Sequence, residues 1–285
     1  MKEKYAVPLI KEHRVSKLVD AIECIDRYPF NREKQKECIL NLYSEKTEKS
    51  VFRGMVIPSL RSLGLIIGYG AAIRLSGNGR LILEGRKHNK EEEYRIARTI
   101  FLEIDQNVFH LVEQLKQRPN ISEERFIELV STGIQAVSER QKKERVKRWL
   151  EILKGCELIR SIDRAITIHE ENYKHARRDL EIEPKRPFFK SILFVEYKSL
   201  PSQETAGIID IAALREHVAL SYYRKHDMIL TESQFDELLR SFPLVTDNYA
   251  ISLGQPMGAE EKLFFFKGNY YRTLSITFFQ RERME

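Results

Sequence analysis

One local pattern occurs three times along the 285-residue chain, and a repeat restricts architecture more than any single motif does. Leu60-Arg-Ser-Leu63-Gly-Leu65-Ile66 precedes Ile73-Arg74-Leu75. Leu150-Glu-Ile-Leu153-Lys-Gly-Cys-Glu-Leu158-Ile159 precedes Ile166-Thr167-Ile168, and Leu238-Leu239-Arg-Ser-Phe242-Pro-Leu244-Val245 precedes Ile251-Ser252-Leu253. Each copy closes an apolar helical run, breaks at Gly or Pro, and offers an apolar pair with a strand 7 or 8 residues further on. Phe126 to Leu150 and Leu214 to Leu238 are both 24 residues apart, so the spacing recurs upstream as well.

Turn and cap residues complete each copy. Ser76-Gly77-Asn78-Gly79 supplies the positive-φ positions of a tight hairpin after the first strand. Lys267-Gly268-Asn269 does so between Phe264-Phe265-Phe266 and an alternating strand from Tyr270 to Phe278; Ser161-Ile162-Asp163-Arg164 makes a shorter turn in the second copy. Amphipathic helices precede each copy. Ile22, Cys24, Ile25, Cys38, Ile39 and Leu42 serve the first, and Phe101, Ile104, Val108, Leu111 and Leu115 the second, on one connecting helix from Glu91 to Gln117. Ser122 caps the helix of Phe126, Leu129 and Val130, Asp210 precedes Ile211, Leu214 and Val218, and Thr231-Glu-Ser-Gln234 fits a capping box. Phe52, Val56, Leu60 and Leu63 share a helical face, and Pro58 requires that helix to kink or begin late.

Leu60-Arg-x-Leu63-Gly64-Leu65-Ile66 with Ile73-Arg74-Leu75-Ser76-x-Asn78-Gly79-Arg80 resembles the end of the recognition helix and the wing of winged helix-turn-helix DNA-binding proteins. The tandem arrangement also resembles the recognition region of type IIS restriction enzymes. The resemblance implies a mainly α fold with small β-hairpins (α+β), in three tandem winged-helix modules joined by helices. Modules over 1–88, 89–183 and 184–285 follow, with boundaries near His88–Lys90 and Glu181–Pro187.

Charge assigns work to these modules. The formal net charge is +6, and residues 49–87 alone hold seven basic residues against Glu84, the same surplus. Lys49, Arg53 and Arg61 lie off the apolar face of the first candidate recognition helix, and Arg74, Asn78 and Arg80 flank its wing. Cations at helix and wing suit a phosphate backbone, since each neutralised phosphate releases condensed counterions. Arg140, Lys142, Lys143, Arg145, Lys147 and Arg148 crowd nine residues with Glu144 as the one acid, at the second recognition position. A solvated helix face is the plainer reading of such a run, but it normally carries opposite charges at i,i+4. The third position, Thr231 to Phe242, holds Glu232, Asp236 and Glu237 against Arg240, and carboxylates repel phosphates. With Phe264, Phe265, Phe266, Tyr270 and Tyr271 beside it, that module reads as a surface for a protein partner or self-association.

Catalytic signals are few. Val195-Glu196-Tyr197-Lys198 resembles the E-x-K half of a PD-(D/E)xK nuclease, with Asp179 as a candidate second acid for Mg²⁺. Against it, Phe189, Leu193, Tyr197 and Leu200 recur at helical spacing. The seven His lie at no zinc spacing, and His169 and His175 beside Glu170 and Glu171 read as surface residues. Gly64-Leu-Ile-Ile-Gly68-Tyr69-Gly70 lacks the lysine and helix of a phosphate loop. Cys24, Cys38 and Cys156 stand apart, outside any CxxC, and read as reduced core thiols of a cytoplasmic protein. Met1 to Tyr5 begins no secretory leader, and no run approaches a membrane span. The expectation is a non-enzymatic double-stranded DNA-binding protein without cofactor or metal, in which two modules meet DNA and the third a protein. The alternatives are an adaptor subunit of a DNA-processing or chromosome-segregation complex, and a restriction or defence subunit using the E-x-K.

Overall fold

The computed structural model describes residues 7–70, 73–134, 136, 138–200, 207–256 and 262–279. The first residues, read above for a leader, lie outside them. The fold is mainly helical: 59% helix, in 12 helices among the described residues, with antiparallel sheets of two or three strands, an α+β class. No described helix is long and apolar enough to cross a membrane. The chain forms two compact units, Met1–Leu75 with Ile82–Leu180, and Ser76–Leu81 with Glu181–Glu285.

Unit 1 opens with α1 (Val15–Arg27) and α2 (Arg32–Asn41). A π-helical turn, Lys49–Met55, then gives way to α3 (Val56–Ser62). The Val56 N–H reaches back five residues to the Val51 carbonyl, and Met55 leaves helical geometry at φ −132°. The late start accommodates Pro58, which falls in the first turn of α3, where a missing N–H costs no helical bond. Val56, Leu60 and Leu63 are buried with Leu18, Ile22 and Ile25 of α1, whereas Phe52 is half-exposed.

The first hairpin differs from expectation. β1 (Ile66–Ile67) pairs with β2 (Arg74–Leu75) in the register Ile66↔Leu75 and Ile67↔Arg74, so the hairpin closes before Ser76. Gly68 and Gly70 take φ of +81° and +58° after β1, a region that L side chains avoid. Ser76-Gly77-Asn78-Gly79 is not a hairpin turn but the start of α4 (Gly77–His88). Ser76 Oγ accepts the Gly79 N–H at 3.1 Å and so caps the helix, whose Leu81, Ile82 and Leu83 are buried.

The single helix expected over Glu91–Gln117 is two, α5 (Lys90–Glu103) and α6 (Gln106–Lys116). Between them Asp105 is extended at φ −155°, and its carboxylate accepts the Asn107 N–H at 2.6 Å. There follow β3 (Ile121–Ser122), α7 (Glu123–Ser131), α8 (Glu139–Gly155), β4 (Ile159–Ile162), β5 (Ala165–Ile168) and α9 (Glu170–Asp179), with sheet order β3-β5-β4. Asp163 and Arg164, both at positive φ, close the β4–β5 hairpin as a two-residue turn. Trp149, Phe101 and Phe126 are fully buried in this unit.

Two cysteines overturn the reduced-thiol expectation. Cys24 and Cys38 form a disulfide, with Cα atoms 5.7 Å apart, because α1 and α2 fold back against each other and bring residues separated by 14 positions together. Cys156 alone is a free thiol, and it is buried.

Unit 2 repeats the second copy's topology. α10 (Arg186–Ser199), β6 (Ile209–Asp210), α11 (Ile211–His226), α12 (Glu232–Ser241), β7 (Tyr249–Gly254) and β10 (Thr273–Phe278) give sheet order β6-β10-β7. Asp210 caps α11 and Thr231 with Gln234 forms the capping box of α12. In both copies a helix, strand, helix, helix, strand and strand follow in order, and the last strand lies between the other two. The expected third hairpin is divided. β8 (Phe264–Phe266) and β9 (Asn269–Tyr271) form their own ribbon, while β10 pairs over six residues with β7, from Thr273↔Gly254 to Phe278↔Tyr249.

Candidate nucleic-acid interface

Three elements of unit 1 enclose a cleft of about 640 Å³: the start of α2, the π-helical turn, and the loop between β1 and β2. Their placement has identifiable causes. The Cys24–Cys38 disulfide ties α2 to α1. Gln35 of α2, 2% exposed, donates from Nε2 to the Tyr28 carbonyl at 3.0 Å and to that of Ile73, the residue before β2, at 3.3 Å. From α3, Arg61 donates to the Gly68 carbonyl at 2.6 Å and lays its guanidinium over the Tyr69 ring at 4.2 Å.

Cations dominate the cleft. Lys49 and Arg53 come from the π-helical turn, Arg32 and Lys36 from α2, and Arg61 from α3, with Glu33 and Glu48 as the acids. Both acids are taken up by Lys36, at 3.7 and 2.9 Å. Lys49, Arg53 and Arg32 are exposed and make no ion pair among the described residues; neither does Arg74, exposed on β2. Of the six residues expected in the first module, Lys49, Arg53 and Arg61 therefore line one concavity, and Arg74 stands on the hairpin that carries its lip.

Asn78 and Arg80 do not belong to this set. With the hairpin closed before Ser76, they lie in the first turn of α4, within unit 2. Asn78 Oδ1 accepts the Glu232 N–H at 3.2 Å, the Gly77 N–H donates to Glu232 Oε1 at 3.1 Å, and Arg80 pairs with Glu216 at 2.8 Å. They fix helices to one another. Arg86 and Lys87, part of the same charge surplus, pair with Asp20 at 2.6 Å and with Glu84 at 3.0 Å.

The second basic run is more engaged than its composition implies. On α8, Lys142 pairs with Glu139, Lys143 with Glu128 at 3.4 Å, and Arg148 with Glu144 at 2.6 Å. Arg145 donates to the Val7 carbonyl at 3.1 Å and Arg148 to that of Lys11 at 2.7 Å, while Trp149 Nε1 donates to Pro8 at 2.9 Å. One flank of α8 thus holds the segment 7–11 in place. Arg140 and Lys147 remain exposed, without an ion pair among the described residues. The partners expected to be missing at i,i+4 are supplied at i−3, at i−4 and by the preceding helix.

The E-x-K side chains are occupied separately. Glu196 accepts from Ser221 and lies 3.8 Å from both His217 and Lys225; Lys198 Nζ sits over the Phe278 ring at 4.4 Å. Asp179 binds Arg95 at 3.1 Å in the other unit. No cluster of His, Cys, Asp or Glu among the described residues could hold a metal ion.

In the acidic third copy, Asp236 meets Arg215 through paired contacts of 2.7 and 2.8 Å, and Glu232 meets Lys262. Phe264 is 1% exposed, but Phe265 and Tyr270 stand 45% and 58% exposed on the β8–β9 ribbon, ring centroids 5.0 Å apart.

Arg32 and Tyr69 are the residues sequence reasoning missed. Tyr69 had a signal, an aromatic between two glycines, Gly68 and Gly70, which holds a side chain out on a sharp loop. Arg32 had none, since only the fold brings the start of α2 to the cleft. Comparison with protein-family models, with curated proteins and with solved structures finds no match.

Proposed function

We propose that the chain is a non-enzymatic double-stranded DNA-binding protein built from winged-helix modules, with its main DNA contact at the basic cleft and hairpin of the first module. The observation that carries this reading is the sorting of charge. Most cations of the chain's basic segments are consumed in ion pairs or carbonyl contacts, whereas Lys49, Arg53 and Arg32 line one cleft of unit 1 and Arg74 stands exposed on β2, none of them in an ion pair among the described residues. Cations not neutralised by a carboxylate are what a phosphate backbone requires, and the two acids of the cleft, Glu33 and Glu48, are taken up by Lys36. The helix–strand–helix–helix–strand–strand order of the other two copies, with the last strand central, supports the module assignment. Arg140 and Lys147 extend the contact to the second module.

The third module is read as a protein-binding or self-association surface, on the strength of Phe265 and Tyr270 exposed beside an internally paired acidic helix. That same ribbon favours the second reading, an adaptor subunit that meets protein alone. The engagement of Glu196 and Lys198 with other side chains favours neither catalysis nor a nuclease.

Salt titration of duplex binding separates these readings. Log affinity should fall with log salt at about 0.9 per phosphate contact, and Lys49→Ala/Arg53→Ala/Arg74→Ala should flatten the slope by about 2.7. Arg80→Ala, outside the interface, should leave the slope unchanged. Absence of duplex binding at low salt would favour the adaptor, and Mg²⁺-dependent cleavage lost in Glu196→Ala the nuclease.

A further inference from the structure

A duplex major groove admits an α-helix or a two-stranded β-ribbon, but the candidate recognition segment of the first module borders a concavity. Its candidate recognition segment is broken at Met55 into a π-helical turn and a short α-helix, and π-turns concentrate at functional sites. The cleft beside the break has the volume of a small-molecule site, and such sites combine an apolar lining with a few placed polar groups. Phe52, Ile57 and Ile73 form the apolar part. Arg32, Lys49 and Arg53 form a cationic part that makes no ion pair among the described residues. At the lip, Tyr69 is 66% exposed although it is a large aromatic, and Arg61 supports its ring at 4.2 Å.

An exposed aromatic ring, an apolar recess and unpaired cations within one small enclosure call for a ligand that is flat and apolar at one end and repeatedly anionic at the other. A sugar–phosphate edge of intact duplex offers only the second property. An unstacked nucleotide offers both, because every base has a π-face while its flanking phosphates carry the charge.

We propose that the cleft receives an unstacked nucleotide from a single-stranded stretch of DNA, with the base against Tyr69 and Phe52 and the adjoining phosphates on Arg32, Lys49 and Arg53. The protein would then recognise duplex that ends in, or is interrupted by, single strand. This rests on the DNA-binding reading above and narrows its substrate. Lys36 takes no part, being held by Glu33 and Glu48.

The test is fluorescence anisotropy at low salt on the full chain. The labelled probes are a blunt duplex, the same duplex with a thymidine tail at the 5′ or the 3′ end, and oligothymidine alone. Wild type should prefer one of the tailed duplexes to the blunt one by about 5- to 150-fold, the worth of stacking a single base on an aromatic side chain. Tyr69→Ala should abolish that preference, and Tyr69→Trp should restore it. Tyr69 is surface-exposed, so these variants keep the fold, and circular dichroism checks this. Equal binding of tailed and blunt duplex by wild type, or a preference surviving in Tyr69→Ala, overturns the nucleotide site and leaves duplex binding standing. Binding of oligothymidine without blunt duplex upholds the site and removes the duplex reading. No binding of any probe removes both.

Discussion

The ion pair between α11 and α12 offers a sharp test of how unit 2 is held together. Arg215 is 3% exposed; it makes a two-point contact with Asp236 and donates a third hydrogen bond to the Lys262 carbonyl at 2.5 Å. Burial pushes the Asp236 carboxyl above its ordinary value, even though Arg215 and Arg240 pull it down. Arg215→Met keeps the apolar stem but leaves a desolvated carboxylate facing no bonded cation. Breaking a buried pair from one side costs about 3–5 kcal/mol; the Asp236 side chain is 18% exposed, which places the loss near the lower bound, about 3 kcal/mol. The pH response gives a second reading. An acid whose folded pKa is raised binds its proton more tightly in the folded state, so stability falls as pH rises through that pKa and recovers on acidification. Without Arg215 the carboxyl moves higher still, and the variant should regain stability from neutral to mildly acidic pH more than wild type does. Urea denaturation followed by far-ultraviolet circular dichroism measures both effects, and Trp149, the one tryptophan of the chain, reports unit 1 separately. Arg215→Met/Asp236→Leu should recover to within about 1 kcal/mol of wild type, since a buried pair exchanged for apolar groups is often neutral. A single-variant loss under about 1 kcal/mol with a flat pH profile, or a double variant no better than the single, would refute the reasoning.

Three further outcomes are expected. Cys24→Ser/Cys38→Ser should lower stability by about 3 kcal/mol in oxidising buffer, the worth of closing a loop of this length, and by little in excess reductant; paired denaturation curves decide it. Burial pushes the Glu12 carboxyl up, but the side chain and backbone N–H of Arg14, together with Tyr43, outweigh it and hold the group below its ordinary value. Glu12→Gln should therefore be destabilising at neutral pH, and the difference should vanish as acid titration passes below the depressed value, which urea midpoints across pH would show. Gly85→Ala, which in an open helix gains about 0.5–1 kcal/mol, should instead destabilise, because the added carbon would stand 2.6 Å from Ile96 Cδ1 and 3.0 Å from the Glu92 carbonyl; thermal melts give the sign.

Much of the fold was legible because its signals are local. The caps at Ser122, Asp210 and Thr231, the late start forced by Pro58, and the turn at Asp163-Arg164 depend on residues within a few positions of one another, and all are present. Ser76 to Gly79 misled for a related reason. Ser-Gly-Asn-Gly suits a hairpin turn and an N-capped helix start equally, and the apolar run Leu81-Ile82-Leu83 decides for the helix by burying itself. Asp105 likewise breaks a run whose apolar periodicity continues through it.

At the candidate site, the sequence by itself determined which residue types were available: a basic first module, a basic α8 and an acidic α12. Whether several of these cations are available to a ligand was decided by tertiary structure, because the carboxylate or carbonyl that occupies them is distant in the chain. Glu216 for Arg80 and the carbonyls of Val7 and Lys11 for Arg145 and Arg148 lie 136 to 138 positions away, beyond any local pattern. The same holds for Cys24 and Cys38, whose pairing needs the turn between α1 and α2. Charge is written in the sequence; its neutralisation is a property of the fold, since Coulomb attraction acts through space at a few ångströms and takes no account of chain order.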